Sequence, residues 1–209
     1  MKKTVWLIRH GATDWNAQLR WQGHIDIPLN EEGHAQATLV AQELKDRPLA
    51  GILSSDLRRA HQTAQAVAAP HALEVFTTDK LREVHVGDLE GLTTPEVIER
   101  FDPVDVARWR DERDLDWPFP NGESKREALH RGLTAINGFV RWTDGPEVAI
   151  VCHSLILRLV VHALFPDIEG QVHVPNCKHF ELELDEASQR WSARGELADY
   201  LPDDREATA

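Results

Sequence analysis

Contiguous apolar runs alternate along the chain with stretches in which apolar positions recur every three or four residues. Val5-Trp6-Leu7-Ile8, inside Thr4 to Arg9, is unbroken rather than alternating, which predicts a strand buried on both faces. Gly51 to Ser54, Leu73 to Thr77 and Val148 to Cys152 read as further strands, as do Phe180 to Leu184 and Trp191 to Arg194. Helical spacing begins after Asn30, an N-cap type followed by Glu31 and Glu32, with Ala37, Val40, Ala41 and Leu44 as the apolar stripe. A second helix runs from Leu57 to about Ala69 and stops at Pro70. Glu123 to Trp142 carries Leu129, Leu133, Ile136 and Val140 on one face, and an apolar helix follows Cys152 to about Leu164, with Ser154 available as its cap. Between residues 93 and 121 two short helices are expected, neither with a long apolar face, as an elaboration beside the core.

Strands alternating with helices of ten or more residues imply a largely parallel sheet covered on both faces. The expected fold is a three-layer α/β/α sandwich with a small helical insertion, about 93–121, beside the site. With no repeat or low-complexity linker in view, residues 1–198 read as one domain and 199–209 as a polar tail. In such sheets ligands bind outside the carboxyl ends of the strands. Arg9-His10-Gly11, Ser54-Ser55-Asp56-Leu57-Arg58 and His153-Ser154 all fall at such ends.

Composition narrows the chemistry. The 209 residues are 42% hydrophobic and 28% charged, a globular profile, and no apolar run nears the roughly 20 residues of a membrane span. The apolar stretch after Lys2 and Lys3 is too short for a signal peptide, so a cytoplasmic location is expected. A net charge of −12 argues against nucleic acid as a partner. It also means that a phosphate-handling site would need a locally positive pocket. Cys152 and Cys177 make neither a disulfide framework nor a zinc quartet, and read as buried thiols. Of eleven histidines, none falls in a His-Glu-x-x-His pattern. No metal and no organic cofactor is expected.

An imidazole attacks phosphorus only when neutral, and neighbouring cations keep it so. Arg9, Arg58 and His153 are the candidates to surround His10 and to hold the equatorial oxygens of a transferring phosphoryl group. Gly11 is expected to let the backbone approach the anion. The leaving oxygen needs an acid, and Glu83, Asp88 and Glu90 lie in one segment, Leu81 to Gly91. Glu83 is preferred, since a sealed pocket near a phosphate would raise a carboxyl pKa, but the chemistry alone does not separate the three.

Several segments carry a resemblance. Leu7 to Asn16, Gln22 to Asn30, Ser54 to Ala64, Glu83 to Gly91 and Pro120 to Ser124 occur in the order, and with the residues, of the histidine phosphatase superfamily, which includes cofactor-dependent phosphoglycerate mutases and related phosphatases. The resemblance implies a phosphohistidine on His10, with Arg9, Arg58 and His153 around the phosphoryl group. Glu83 resembles the family's proton donor. Asn16 and Gln22 match positions that contact the phosphoryl group or the substrate beside it, and Gly23 and Ser154 are expected to bind substrate or phosphate with them. Ser154 stands where the family has glycine, and Leu89 where an aromatic residue is common.

The expected activity is phosphomonoester hydrolysis of a small phosphorylated substrate. A mutase is the alternative. Residues 90–116 hold four arginines against nine acids, a poor second anion site; Gln22-Gly23 is closer to the phosphatase branch, and the stretch before Pro120 is short for a mutase. Two other readings are a catalytically silent phosphate- or partner-binding domain, and a cysteine phosphatase using the Cys-x5-Arg spacing of Cys152 and Arg158. Against the latter, Leu155-Ile156-Leu157 has no glycine for an anion cradle. Trp6 and Trp142 are expected in the core. Trp109, Trp117 and Phe119 are expected either to pack the insertion or to wall the site.

Overall fold

The computed structural model describes residues 2–168, 170–195 and 197; the expected tail, 199–209, lies outside them. Six strands form one sheet: β1 (Lys2–Arg9), β2 (Leu49–Ser55), β3 (Val75–Thr78), β4 (Glu147–Cys152), β5 (His179–Asp185) and β6 (Arg190–Arg194). Their spatial order is β3-β2-β4-β1-β5-β6. The first four are parallel, and β5 and β6 are antiparallel additions beyond β1.

The unbroken apolar run of β1 has a direct explanation. Val5 and Leu7 point into one core and Trp6 and Ile8 into another, because successive strand side chains face opposite ways. β4 divides likewise, with Val148, Ile150 and Cys152 on one face and Ala149 and Val151 on the other. Helices α2 (Glu31–Leu44) and α3 (Arg58–Ala68) cover the second face; α6 (Lys125–Trp142) and α7 (Ser154–Leu164) cover the first. A one-turn α1 (Asp14–Ala17) follows β1. Asn30 caps α2 as expected, its Oδ1 accepting from the Gly33 N–H at 2.9 Å.

The insertion forms α4 (Thr94–Arg100) and α5 (Pro103–Arg110). It is more than an elaboration beside the core, for Val97, Val106, Trp109 and Phe119 are buried in the larger apolar cluster. Two buried lysines hold helix ends. Lys125 Nζ donates to the carbonyls of Arg108, Asp111 and Asp114 at 2.9, 2.9 and 2.6 Å, closing the C-terminal end of α5. Lys3 Nζ does the same for α6 through Val140 and Thr143. The last carbonyls of a helix lack intrahelical partners, so such a cation is well placed there.

Trp142 departs from expectation: it is 64% exposed at the end of α6, edge-on to Phe76. Ser154 does not cap α7 either, because His153 occupies the cap position and Ser154 is the first helical residue.

Candidate active site

Strands β2, β4 and β1 are neighbours, and their carboxyl ends deliver the polar residues to one place. Arg9 pairs in register with Cys152, so His10 and His153, each one residue further on, emerge side by side with ring centroids 5.1 Å apart. A cavity of about 490 Å³ opens there, lined among others by Arg9, His10, Asn16, Gln22, Gly23 and Glu83.

His10 is 3% exposed, and its Nδ1 lies 2.7 Å from the Gly11 carbonyl. That bond places the proton on Nδ1 and leaves Nε2 with its lone pair. Burial, then the charges of Arg59 and Arg9, hold the His10 pKa well below its ordinary 6.5. His153 is fully buried and its pKa is likewise lowered, by burial first and then by Arg59. Its Nδ1 accepts from Arg59 Nε at 3.2 Å, and its Nε2 has no partner among the described residues.

The arginine after β2 is the main correction. Arg58 is exposed, with its backbone N–H bonded to Asp26 Oδ1 at 2.7 Å. Arg59 is the buried one and lines the cavity. Adjacent residues on a helix point about 100° apart, so only one of the pair can face the site. Arg59 is oriented by the carbonyls of Ile25 and Gly23, at 2.8 and 2.9 Å, as well as by His153. Arg9 donates to the Val174 carbonyl at 2.5 Å, and its Nε has no partner among the described residues. Burial lowers the pKa of both Arg9 and Arg59 to about 10, which leaves them charged at neutral pH.

The remaining predicted residues separate by what binds them. Asn16 lines the cavity while its Oδ1 accepts from the Thr13 N–H at 3.1 Å and from Asn176 at 3.2 Å, which leaves its amide N–H groups to the site. Gln22 also lines it, with a buried Oε1 that has no partner among the described residues. Gly23 has φ +48, and a Cβ there would lie 2.2 Å from Glu90 Oε1. Gly11 does not line the cavity; a Cβ there would stand 2.5 Å from the Gly33 carbonyl, so the contact between the β1 end and α2 requires glycine. Ser154 lines the cavity, and its Oγ accepts from Arg158 Nη1 at 2.8 Å.

Of the three carboxylates, Glu83 alone lines the cavity. Its oxygens accept the N–H groups of Leu155 and Ile156, both at 3.0 Å, and so cap α7 in place of Ser154. Asp88 is held by Asn121 Nδ2, and Glu90 by the His24 N–H at 2.7 Å; both are occupied with loops. Cys152 does not line the cavity, and burial raises its thiol pKa far above the ordinary value. Arg158 does line it, but from within α7 and not from an anion loop.

The distal wall could not be read from spacing. Trp21 and Trp109 line it, with Phe119 stacked behind Trp109 at 5.7 Å. Trp117 does not line it but sits beneath Arg108, 3.8 Å from the guanidinium carbon to the ring centroid. Arg20, Arg110 and Arg158 also reach the cavity, with Glu112 as the nearby acid. Arg158 Nε lies 2.7 Å from Glu112 Oε1, and Arg20 donates to Gln18 and Gly91. The cavity thus holds five arginines and two carboxylates in a chain of net charge −12.

This fold and pocket belong to a known group. The family model described as the histidine phosphatase superfamily (branch 1) matches residues 5–196, and the chain belongs to that superfamily. It is 38% identical over 154 residues to phosphoglycerate mutase-like protein 4 of Arabidopsis thaliana, covering 73% of this chain and 66%, just under two thirds, of that protein. It is 31% identical to a probable phosphoglycerate mutase, GpmB, of Serratia proteamaculans, over 95% of this chain and 92% of that one. Among solved structures, Bacillus stearothermophilus YhfR matches with TM-score 0.84 at 29% identity, covering 93% of this chain and 96% of that one. A mycobacterial glucosyl-3-phosphoglycerate phosphatase matches with TM-score 0.81 at 29% identity, covering 92% and 97%. The relatives therefore include both phosphatases and mutase-like proteins.

Proposed function

We propose that this chain is a metal-independent phosphomonoester hydrolase that works through a phosphohistidine on His10. The observation that carries the reading is one cavity lined by a neutral, oriented His10 together with Arg9, Arg59 and Glu83, with the buried His153 ring 5.1 Å from that of His10. In the first step His10 Nε2 bonds to phosphorus as the bond to the leaving oxygen breaks, and Glu83 gives that oxygen a proton. In the second, Glu83 takes a proton from water, whose oxygen bonds to phosphorus as the N–P bond breaks. Arg9 and Arg59 bind the equatorial oxygens, and the free Nε2–H of His153 donates to one of them. Asn16, Gln22, Gly23 and Ser154 border the phosphoryl position. No step requires a metal or an organic cofactor, because the cations are side chains.

The test is acid-quenched trapping of labelled phosphate on the protein from p-nitrophenyl phosphate, with a chelator present. Wild type becomes labelled and releases phosphate; His10→Ala does neither. Turnover in His10→Ala, or its abolition by chelator, would sink the proposal.

A second reading, transfer between positions of a doubly anionic substrate, is favoured by Arg110. It is exposed at the mouth with no partner among the described residues, so the low arginine count of residues 90–116 understates what the fold gathers there. Comparing 3-phosphoglycerate with glycerol 3-phosphate separates the two. Isomerised product without free phosphate would select the mutase, and stoichiometric phosphate release the hydrolase.

A further inference from the structure

Arg131 stands outside the cavity, on α6, with its side chain 16% exposed. All five of its N–H groups are engaged. Nη1 donates to the carbonyls of Lys80 and Arg82, at 2.8 and 2.7 Å, and Nη2 to that of Glu83 at 2.8 Å. Nε and Nη2 also grip the two oxygens of Glu123, at 3.1 and 2.5 Å. Glu123 in turn accepts the His85 N–H at 2.8 Å, and its own N–H donates to the His85 carbonyl at 3.0 Å. His24 Nε2 is a second donor to the Glu83 carbonyl, at 2.9 Å.

These bonds converge on a segment that has no ladder of its own. After β3 the chain makes one tight turn, Asp79–Leu81, and then runs irregularly to Gly87. Its backbone groups must find partners elsewhere, and a guanidinium with its carboxylate supplies four of them, the carbonyls of Lys80, Arg82 and Glu83 and the N–H of His85. Glu83 is thus held at both ends, its backbone by α6 through Arg131 and its carboxylate by the first turn of α7.

We propose that the Arg131–Glu123 pair is a positioning device for Glu83, setting the reach of its carboxyl to the leaving oxygen. This rests on the reading of Glu83 as the proton donor. Proton transfer is sensitive to such placement, since an acid must lie within hydrogen-bond reach of the atom it serves. The pair touches neither substrate nor nucleophile, so its loss falls on leaving-group protonation and not on phosphoryl binding.

The experiment measures kcat/KM, which reports formation of the phosphohistidine, over a series from p-nitrophenyl through phenyl to alkyl phosphates. A good leaving group needs little protonation and a poor one needs much. Arg131→Lys and Glu123→Gln each lower the value roughly twofold for p-nitrophenyl phosphate and about tenfold or more for alkyl phosphates. The plot against leaving-group pKa steepens, in the same direction as Glu83→Gln and to a smaller extent. Glu123→Gln retains an acceptor for the His85 N–H, so it carries the readout if Arg131→Lys does not fold. Uniform loss across the series in both variants, with a steepened plot in Glu83→Gln, overturns the positioning proposal and leaves the acid assignment standing. An unchanged slope in Glu83→Gln overturns the acid assignment itself.

Discussion

Arg59 Nε donates to His153 Nδ1 at 3.2 Å, so one guanidinium both fixes the histidine's tautomer and faces the cavity. Its neighbour Arg58 points to solvent. Replacing Arg59 with Ala is therefore expected to lower kcat/KM for p-nitrophenyl phosphate by about a hundredfold or more. Arg58→Ala changes it by less than about twofold, as for a surface substitution. Steady-state kinetics on the two single variants decide the matter, and equal losses would contradict the assignment.

Stability should fall with acid through the histidines. His10 and His153 have folded pKa values depressed below 6.5, so the unfolded chain binds more protons than the folded one under that pH. Their contribution is fully present above pH 6.5 and is lost as pH falls towards the folded values, by up to about 1.4 kcal/mol per pH unit for each histidine. Urea midpoints should fall between pH 7 and 5 accordingly, and His10→Gln should flatten that dependence. A slope unaffected by that substitution would show His10 to be charged in the folded state.

Lys125→Met leaves three carbonyls of the 108–114 segment without their donor. A loss of about 2 kcal/mol or more is expected in denaturant melts. The same segment carries Arg110 and Glu112 to the cavity mouth, so KM for 3-phosphoglycerate should rise more than KM for p-nitrophenyl phosphate. A stable variant with both KM values unchanged would remove Lys125 from this account.

Gly11→Ala tests the close approach behind His10. The added Cβ would meet the Gly33 carbonyl at 2.5 Å, and backbone on both sides must move. About 1–3 kcal/mol of destabilisation is expected, read as a lower denaturation midpoint. An unchanged midpoint would mean that the contact is slack.

The residue pattern determined the element order, the largely parallel sheet and the place of His10. Contiguous apolar runs fit strands with two covered faces, and Arg9-His10 ends one of them. Tertiary structure alone chose Arg59 over Arg58, because which of two adjacent helical residues faces inward depends on how α3 docks on the sheet. It chose Glu83 among three carboxylates for a related reason: Asn121 and the His24 N–H, distant in sequence, claim the other two. It also gave the cap of α7 to a carboxylate 72 residues away and gathered Arg20, Arg110 and Arg158 at one mouth. Local periodicity records what each segment buries; which side chains meet across segments is set by packing, and there the site is made.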